Sequence, residues 1–244
     1  MQDLPSAVTF DCWNTLIYEA DWETAHALRV AALERAALAA GVEAGPEKVR
    51  NVFDPAWARH MEDWEEGRAS GAPEIATWAL ADLGLGEELA ARAALVRDFE
   101  QASHSGRVLM VDGAGVLLQG LVGAGVRCAL ICDTGLTPGR VVRQHLDRLG
   151  LLPCLEVQVF SDETRRPKPH PEAFHAALEP LGVASGEAVH VGDLRRTDVA
   201  GARGIGMGTV RIRARYDDAS ELPDADRVVG SHAELGPLLG LRDR

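Results

Sequence analysis

The sequence predicts an α/β protein: a parallel sheet covered by helices, into which an all-helical segment is inserted. Three observations predict it. A short apolar run at Ala7–Phe10 ends on a carboxylate, Asp11, as a buried strand does when it delivers a side chain to its C-terminal end. The stretch 22–103 carries apolar residues at helical spacing and no strand-like alternation. From Ser105-Gly106 onward, strand-length apolar runs alternate with helical segments, the pattern of a parallel sheet with both faces covered.

Taken in order, the first strand spans 7–10. A helix over 22–40 places Leu28, Ala31, Ala32, Ala36 and Leu38 at helical spacing and stops at Gly41. Pro46 opens a second helix to 66, and two more cover 73–83 and 87–103. Asp112 is positioned to cap a helix over 115–122, and a strand follows at 126–132. Thr137 as N-cap and Pro138 at N1 predict a helix over 139–149. The alternation continues with a strand at 157–160, a helix at 171–181, a strand at 188–191, a helix at 197–203 and a strand at 207–212. The polar tail 216–244 suggests only a short terminal helix. Residues 1–17 and 106–244 are thus expected to form the core and 18–105 a helical insert. An insert that leaves and re-enters beside a strand end belongs over the strand C-termini, where open α/β sheets bind ligands.

The composition sets the class. A chain of 244 residues is long enough for one large domain or two modest ones. Its 46% hydrophobic and 25% charged residues exclude a disordered chain. A formal charge of −12 with no basic run argues against nucleic acid as a partner. No apolar stretch approaches the roughly 20 residues that cross a bilayer. MQDLPSAVTF lacks a basic segment followed by an apolar block, so no secretory signal and a cytoplasmic location are expected. Cys12, Cys128, Cys132 and Cys154 form no CxxC pair and read as small buried hydrophobes in a reducing compartment.

Four segments at predicted strand ends carry the chemistry. Asp11 heads DCWNTL, Cys132-Asp133-Thr134 ends a strand, Lys168 lies in RRPKPHP, and Asp193 and Asp198 lie in VGDLRRTD. A strand-end carboxylate is a nucleophile when a cation suppresses its repulsion from an anionic substrate. Two further carboxylates suit a hard divalent ion such as Mg2+. A fixed ammonium keeps the nucleophile ionised and neutralises a transferring group. Backbone N–H groups over 133–135 suit an anion. Lys48 and Lys168 are the only lysines in an arginine-biased chain, which singles out the one placed between prolines.

The order of these segments resembles the haloacid dehalogenase (HAD) superfamily over residues 7–212, with FDCWNTL, LICDTG, RPKPHP and HVGDLRRTD as its four motifs. The resemblance implies a Rossmann-like core and a C1-type helical cap. It implies Asp11 as a nucleophile forming an aspartyl intermediate, Thr15 as a residue orienting the first motif, and Lys168 as the cation holding Asp11 and the transferring group. Cys132, Asp133 and Thr134 would bind the phosphate or other anionic group. Mg2+ would be held by Asp11, the backbone carbonyl of Trp13 and Asp193, with Asp198 outside its direct contacts or touching Lys168. A small, anionic metabolite is the expected partner, with neither nucleic acid nor membrane; the sequence does not indicate the oligomeric state.

Two positions depart from the pattern. Family phosphatases carry an acid two residues after the nucleophile, where this chain has Trp13, and indole transfers no proton. An aromatic there resembles the haloacid dehalogenases, whose leaving halide needs none. Cys132 stands where the family has Ser or Thr, and a thiol donates weakly. Motif four points the other way, to metal-dependent phosphatases, so the sequence favours Mg2+-dependent phosphoester hydrolysis, with a dehalogenase or a catalytically reduced binding protein as alternatives. Lys48, the single lysine of the insert, reads as solvated rather than catalytic. His190 reads as packing within a buried strand, Trp57, Trp64 and Trp78 as core or surface residues of the insert, and Arg165, Arg166, Arg195 and Arg196 as surface ion-pairing residues.

Overall fold

Nearly continuous burial along β1 (Ala7–Phe10), β4 (Arg127–Cys132) and β6 (Ala188–Gly192) gives the sheet its centre, because a strand covered on both faces keeps apolar residues at successive positions. In the computed structural model, which describes residues 4–85 and 89–241, six parallel strands run in the order β5-β4-β1-β6-β7-β8, with β5 at Val157–Phe160, β7 at Gly208–Ile212 and β8 at Arg227–Val229. The chain divides into two compact units: Met1–Tyr18, Leu109–Asp133 and Arg143–Arg244, and Glu19–Val108 with Thr134–Val142.

The first unit holds the sheet. Helix α8 (Pro171–Leu181) and helix α9 (Ala200–Gly204) bury Phe174, Ala177, Leu178 and Ala202 against Ala7, Ala129, Ile131 and Ala188 of the strands. Helix α5 (Ala114–Gly123) packs on β4 and on α10 (His232–Leu238). A four-residue helix, α7 (Ser161–Thr164), follows β5 directly.

The second unit is helical. Helices α1 (Trp22–Ala39), α2 (Pro46–Glu65), α3 (Ala72–Asp82) and α4 (Leu89–Ala102) pack around Leu33, Phe53, Ile75, Ala79 and Phe99. Trp57 and Trp78 lie partly buried against this core. Asp21 caps α1 by accepting from the Thr24 N–H at 3.1 Å. Arg29 is buried in the same unit, donating to the Phe99 carbonyl at 3.2 Å and to Ser103 Oγ at 2.9 Å. The segment Thr134–Val142, expected with the sheet, groups with these helices: Leu136 joins their core, and Ala72 N–H donates to the Gly135 carbonyl at 3.3 Å.

Several local expectations need correction. Helix α6 begins at Gly139 and ends at Arg148, and the Pro138 carbonyl accepts from Val141 and Val142 at 2.8 and 3.0 Å. Thr137 is therefore not its cap; its hydroxyl is taken by Ser103 Oγ at 2.9 Å. The cap of α5 is Gly113, whose φ of 83° is open to glycine, and not Asp112. The segment expected as one helix over 197–203 is a π-helical turn, Arg195–Val199, followed by α9. The two-stranded ribbon of β2 (Ile17–Glu19) and β3 (Val108–Met110), and β8, were not expected. The expected start of the fourth helix at Glu87 and the chain ends 1–3 and 242–244 lie outside the described residues.

Among the described residues, no helix is long and apolar enough to cross a membrane.

Candidate active site

Strand β1 pairs with β4 on one side and β6 on the other, so the order reverses at β1 and the three carboxyl ends open onto one crevice. Asp11 follows β1 and continues its ladder, its N–H donating to the Val191 carbonyl at 2.8 Å. Cys132 closes β4, and Asp193 follows β6 directly. The π-helical turn then swings Asp198 back toward the strand end. Asp198 Oδ2 accepts from Leu194 N–H at 3.0 Å. A Cβ on Gly192 would lie 2.3 Å from Asp198 Cγ, so the glycine of VGD is required for space. Gly192→Ala is expected to destabilise the protein by about 1–3 kcal/mol through displacement of Asp198, read as a lowered urea midpoint.

The structure brings four of the predicted residues together. Lys168 Nζ donates to Asp11 Oδ1 at 2.5 Å and to Asp198 Oδ1 at 2.7 Å. Oxygens of Asp11, Asp193 and Asp198 lie within 4.8 Å of one another. All four residues are buried. Lys168 is fixed at its backbone as well, its N–H donating to Asp133 Oδ1 at 2.9 Å.

Three carboxylates thus surround one ammonium, and the charges divide unequally. Burial pushes the Asp11 carboxyl up to about 7, with Lys168 opposing and Asp198 reinforcing the rise. Burial also pushes Asp193 up to about 9, with Asp11 and Asp198 adding to it. For Asp198, burial is outweighed by Lys168 and by the His190 hydrogen bond, which hold it well below the usual carboxylate range. Burial works against the Lys168 charge, but Asp11 and Asp198 outweigh it and hold the ammonium well above lysine's ordinary range. With all three carboxylates ionised the cluster would be two positive charges short of neutral, and burial answers that deficit by raising Asp11 and Asp193. Clustered hard oxygen donors with that deficit fit a divalent cation such as Mg2+.

The remaining predicted residues are placed as follows. Trp13 is half-buried in a tight loop closed by Asn14 N–H to the Ile17 carbonyl at 2.7 Å, with Asn14 at a φ of 61°. Thr15 is fully buried in that loop, and its Oγ1 has no hydrogen-bond partner among the described residues. Cys132 is buried, its thiol pushed well up by burial and by the neighbouring Cys12, and its Sγ donates to the Asp133 carbonyl at 3.4 Å. The Asp133 carboxylate holds the Lys168 loop. Thr134 opens the segment that groups with the helical unit. Lys48 is exposed on α2.

His190 does more than fill a strand. Its Nε2 lies 3.2 Å from Asp198 Oδ1 and its Nδ1 2.7 Å from Thr9 Oγ1. A histidine two residues before the GD pair was the available sequence signal.

The tail adds a second network behind Asp193. Arg195 N–H donates to Asp218 Oδ2 at 2.7 Å, and its guanidinium reaches Asp224 Oδ2 at 2.9 Å. Arg211 grips Asp224 with two bonds, 2.7 and 3.0 Å, and Asp217 with a third at 2.7 Å. A cleft of about 550 Å³ lies here, but Arg195 and Arg211 are committed to these aspartates. The Arg211 hydrogen bonds, with Arg195 adding, hold Asp224 well below the usual carboxylate range. A depressed carboxyl stabilises the fold above its unfolded pKa of about 4, and that contribution is lost as pH falls. Melting temperature is therefore expected to drop steeply below about pH 4, and Asp224→Asn to be less stable at neutral pH with a shallower acid drop.

Residues 5–206 match the hydrolase family described as haloacid dehalogenase-like hydrolase. A glyceraldehyde 3-phosphate phosphatase of Methanocaldococcus jannaschii is 35% identical over 103 residues, 41% of this chain and 45% of that protein. The chain therefore spans less than half the length of that relative. A phosphoglycolate phosphatase of Pectobacterium atrosepticum is 29% identical over 192 residues, 70% of this chain and 79% of that protein. A crystal structure of a HAD phosphatase from Thermococcus onnurineus shares the fold at a TM-score of 0.66 and 23% identity, covering 97% of this chain and 99% of that one. With its four motif segments in order and a family match across most of its length, the chain belongs to the haloacid dehalogenase-like hydrolases.

Proposed function

We propose that this protein is a phosphatase-type hydrolase of a small phosphorylated metabolite, working through an aspartyl intermediate on Asp11. The observation that carries the reading is the buried Lys168 ammonium bridging Asp11 and Asp198, with Asp193 alongside in an under-neutralised cluster. Two relatives named as phosphatases support it.

An Asp11 oxygen attacks phosphorus, an Asp–O–P bond forms, and the bond to the leaving oxygen breaks. Lys168 holds the attacking oxygen and screens its charge from the anionic phosphoryl group. Water then attacks phosphorus, releasing phosphate and restoring Asp11. Asp11, Asp193 and the Trp13 carbonyl would hold Mg2+, which supplies the missing positive charge when bound, and Asp198 stays with Lys168. Trp13 removes the usual proton donor for the leaving oxygen, a loss of about 10²–10⁴ in rate on alkyl phosphates. Phosphates whose leaving group needs no proton, acyl and aryl esters, escape that loss. By its place in the chain between motifs one and two, the helical segment 18–105 serves as a C1-type cap that selects substrate.

Trp13 also favours a second reading, hydrolysis of a C–halogen bond. One assay separates them: phosphate and halide release across phosphoesters and 2-haloacids, with Mg2+ and with EDTA. Phosphate release that is lost in EDTA and faster for aryl than for alkyl esters is expected. Halide release that survives EDTA, with no phosphate released, would replace the first reading by the second.

A further inference from the structure

We propose that His190 is a positioning residue for the Lys168–Asp198 pair, linking that pair to the central strand of the sheet through Thr9. The proposal rests on the reading of Asp11 and Lys168 given above and adds a residue to it.

Three facts lead there. First, Asp198 Oδ1 is shared: Lys168 Nζ donates to it at 2.7 Å and His190 Nε2 approaches it at 3.2 Å, while Oδ2 takes the Leu194 N–H at 3.0 Å. The carboxylate is thereby fixed in position and rotation, and the ammonium that depends on it is aimed at Asp11. Second, a carboxylate only accepts, so His190 Nε2 carries the proton toward Asp198. Nδ1 then accepts from the Thr9 hydroxyl at 2.7 Å, which fixes the tautomer, as a partner on one ring nitrogen sets the state of the other. Third, Thr9 and His190 are register partners on adjacent parallel strands, and both are buried. The support for Lys168 thus comes from the buried centre of the sheet. Phe174 meets the imidazole edge-on at 5.1 Å and limits its rotation. Burial holds His190 below the ordinary histidine range, so it orients Asp198 as a neutral donor and adds no positive charge to the cluster.

The test uses an accident of composition. Lys48 and Lys168 are the only lysines, so protein labelled with 15N at lysine Nζ gives two side-chain signals, one from a solvated ammonium and one from the buried one. Lys48→Arg assigns them. The variants are His190→Leu, which removes both bonds, His190→Gln, which keeps a donor for Asp198, and Thr9→Val, a near-isosteric change that leaves the imidazole unheld and covers the case in which His190→Leu does not fold. In His190→Leu and Thr9→Val the Lys168 signal is expected to shift and exchange faster with water, kcat to fall by about tenfold and KM to stay within about twofold, because the loss corresponds to one hydrogen bond to a charged group. His190→Gln is expected to recover most of the signal and the rate. An unchanged Lys168 signal in folded Thr9→Val, or equal behaviour of the Gln and Leu variants, would overturn the proposal. Absence of phosphatase turnover in the unsubstituted protein would instead count against the proposed function, and the lysine signals would still decide the role of His190.

Discussion

Asp11→Asn is expected to abolish turnover, with kcat lower by on the order of 10⁴-fold or more, as when the nucleophile of a covalent mechanism is removed. The amide keeps the shape of the side chain but not its charge, and it cannot form the acyl phosphate. Stability is expected to respond in the opposite direction. Burial and Asp198 push the Asp11 carboxyl up to about 7, so ionising it costs folding free energy at neutral pH, and a neutral residue removes that cost. Melting temperature should therefore hold or rise while activity disappears, the pattern of a site that gives up stability for function. A variant that loses both equally would place Asp11 among structural residues. Phosphate release and differential scanning calorimetry on the same preparation read the two effects together.

Lys168→Met is the complementary change, and here both quantities are expected to fall. The ammonium is the one cation bonded to Asp11 and Asp198 among the described residues, and it sits almost fully buried between them. Removing one partner of a buried ion pair leaves uncompensated charge and costs about 3–5 kcal/mol. Part of that is recoverable by protonating the carboxyls, so the stability deficit is expected to shrink as pH is lowered. Loss of a preorganised charge facing the transferring group lowers kcat by a further 10²–10³, roughly. The contrast between the two variants, one stabilised and one destabilised, follows from a cluster in which carboxylates outnumber cations.

Much of this arrangement could be read from the chain because strands buried on both faces leave continuous apolar runs. The runs of β1, β4 and β6 each give way to an aspartate, which places Asp11, Asp133 and Asp193 at strand ends and Cys132 at the end of the β4 run. Elements held by partners rather than by their own pattern were not legible. β2 and β3 are three residues each and exist by pairing with one another, and β8 is three residues with only Val229 buried. Thr137 looked like a cap because its sequence neighbours fit, but Ser103, distant in sequence, takes its hydroxyl. The role of His190 was hidden for a related reason. Between two valines it reads as core, and its role comes from register with Thr9 and from a π-helical turn that returns Asp198 to the strand. Asp133 was expected to lend its backbone N–H to an anion, and no sign in the sequence showed that its carboxylate also holds the backbone of Lys168. In each case residue identity was informative about chemistry and uninformative about which partner would claim it.

The central claim is that an oxygen of Asp11 becomes covalently bonded to the transferring phosphoryl group. Mass spectrometry of protein quenched in acid during a single turnover of an aryl phosphate tests this directly. The account predicts a phosphoryl mass increment on the peptide carrying Asp11, absent from Asp11→Asn and lost when turnover is complete. Phosphate release at full rate with no such adduct, or an adduct on any other residue, would contradict it.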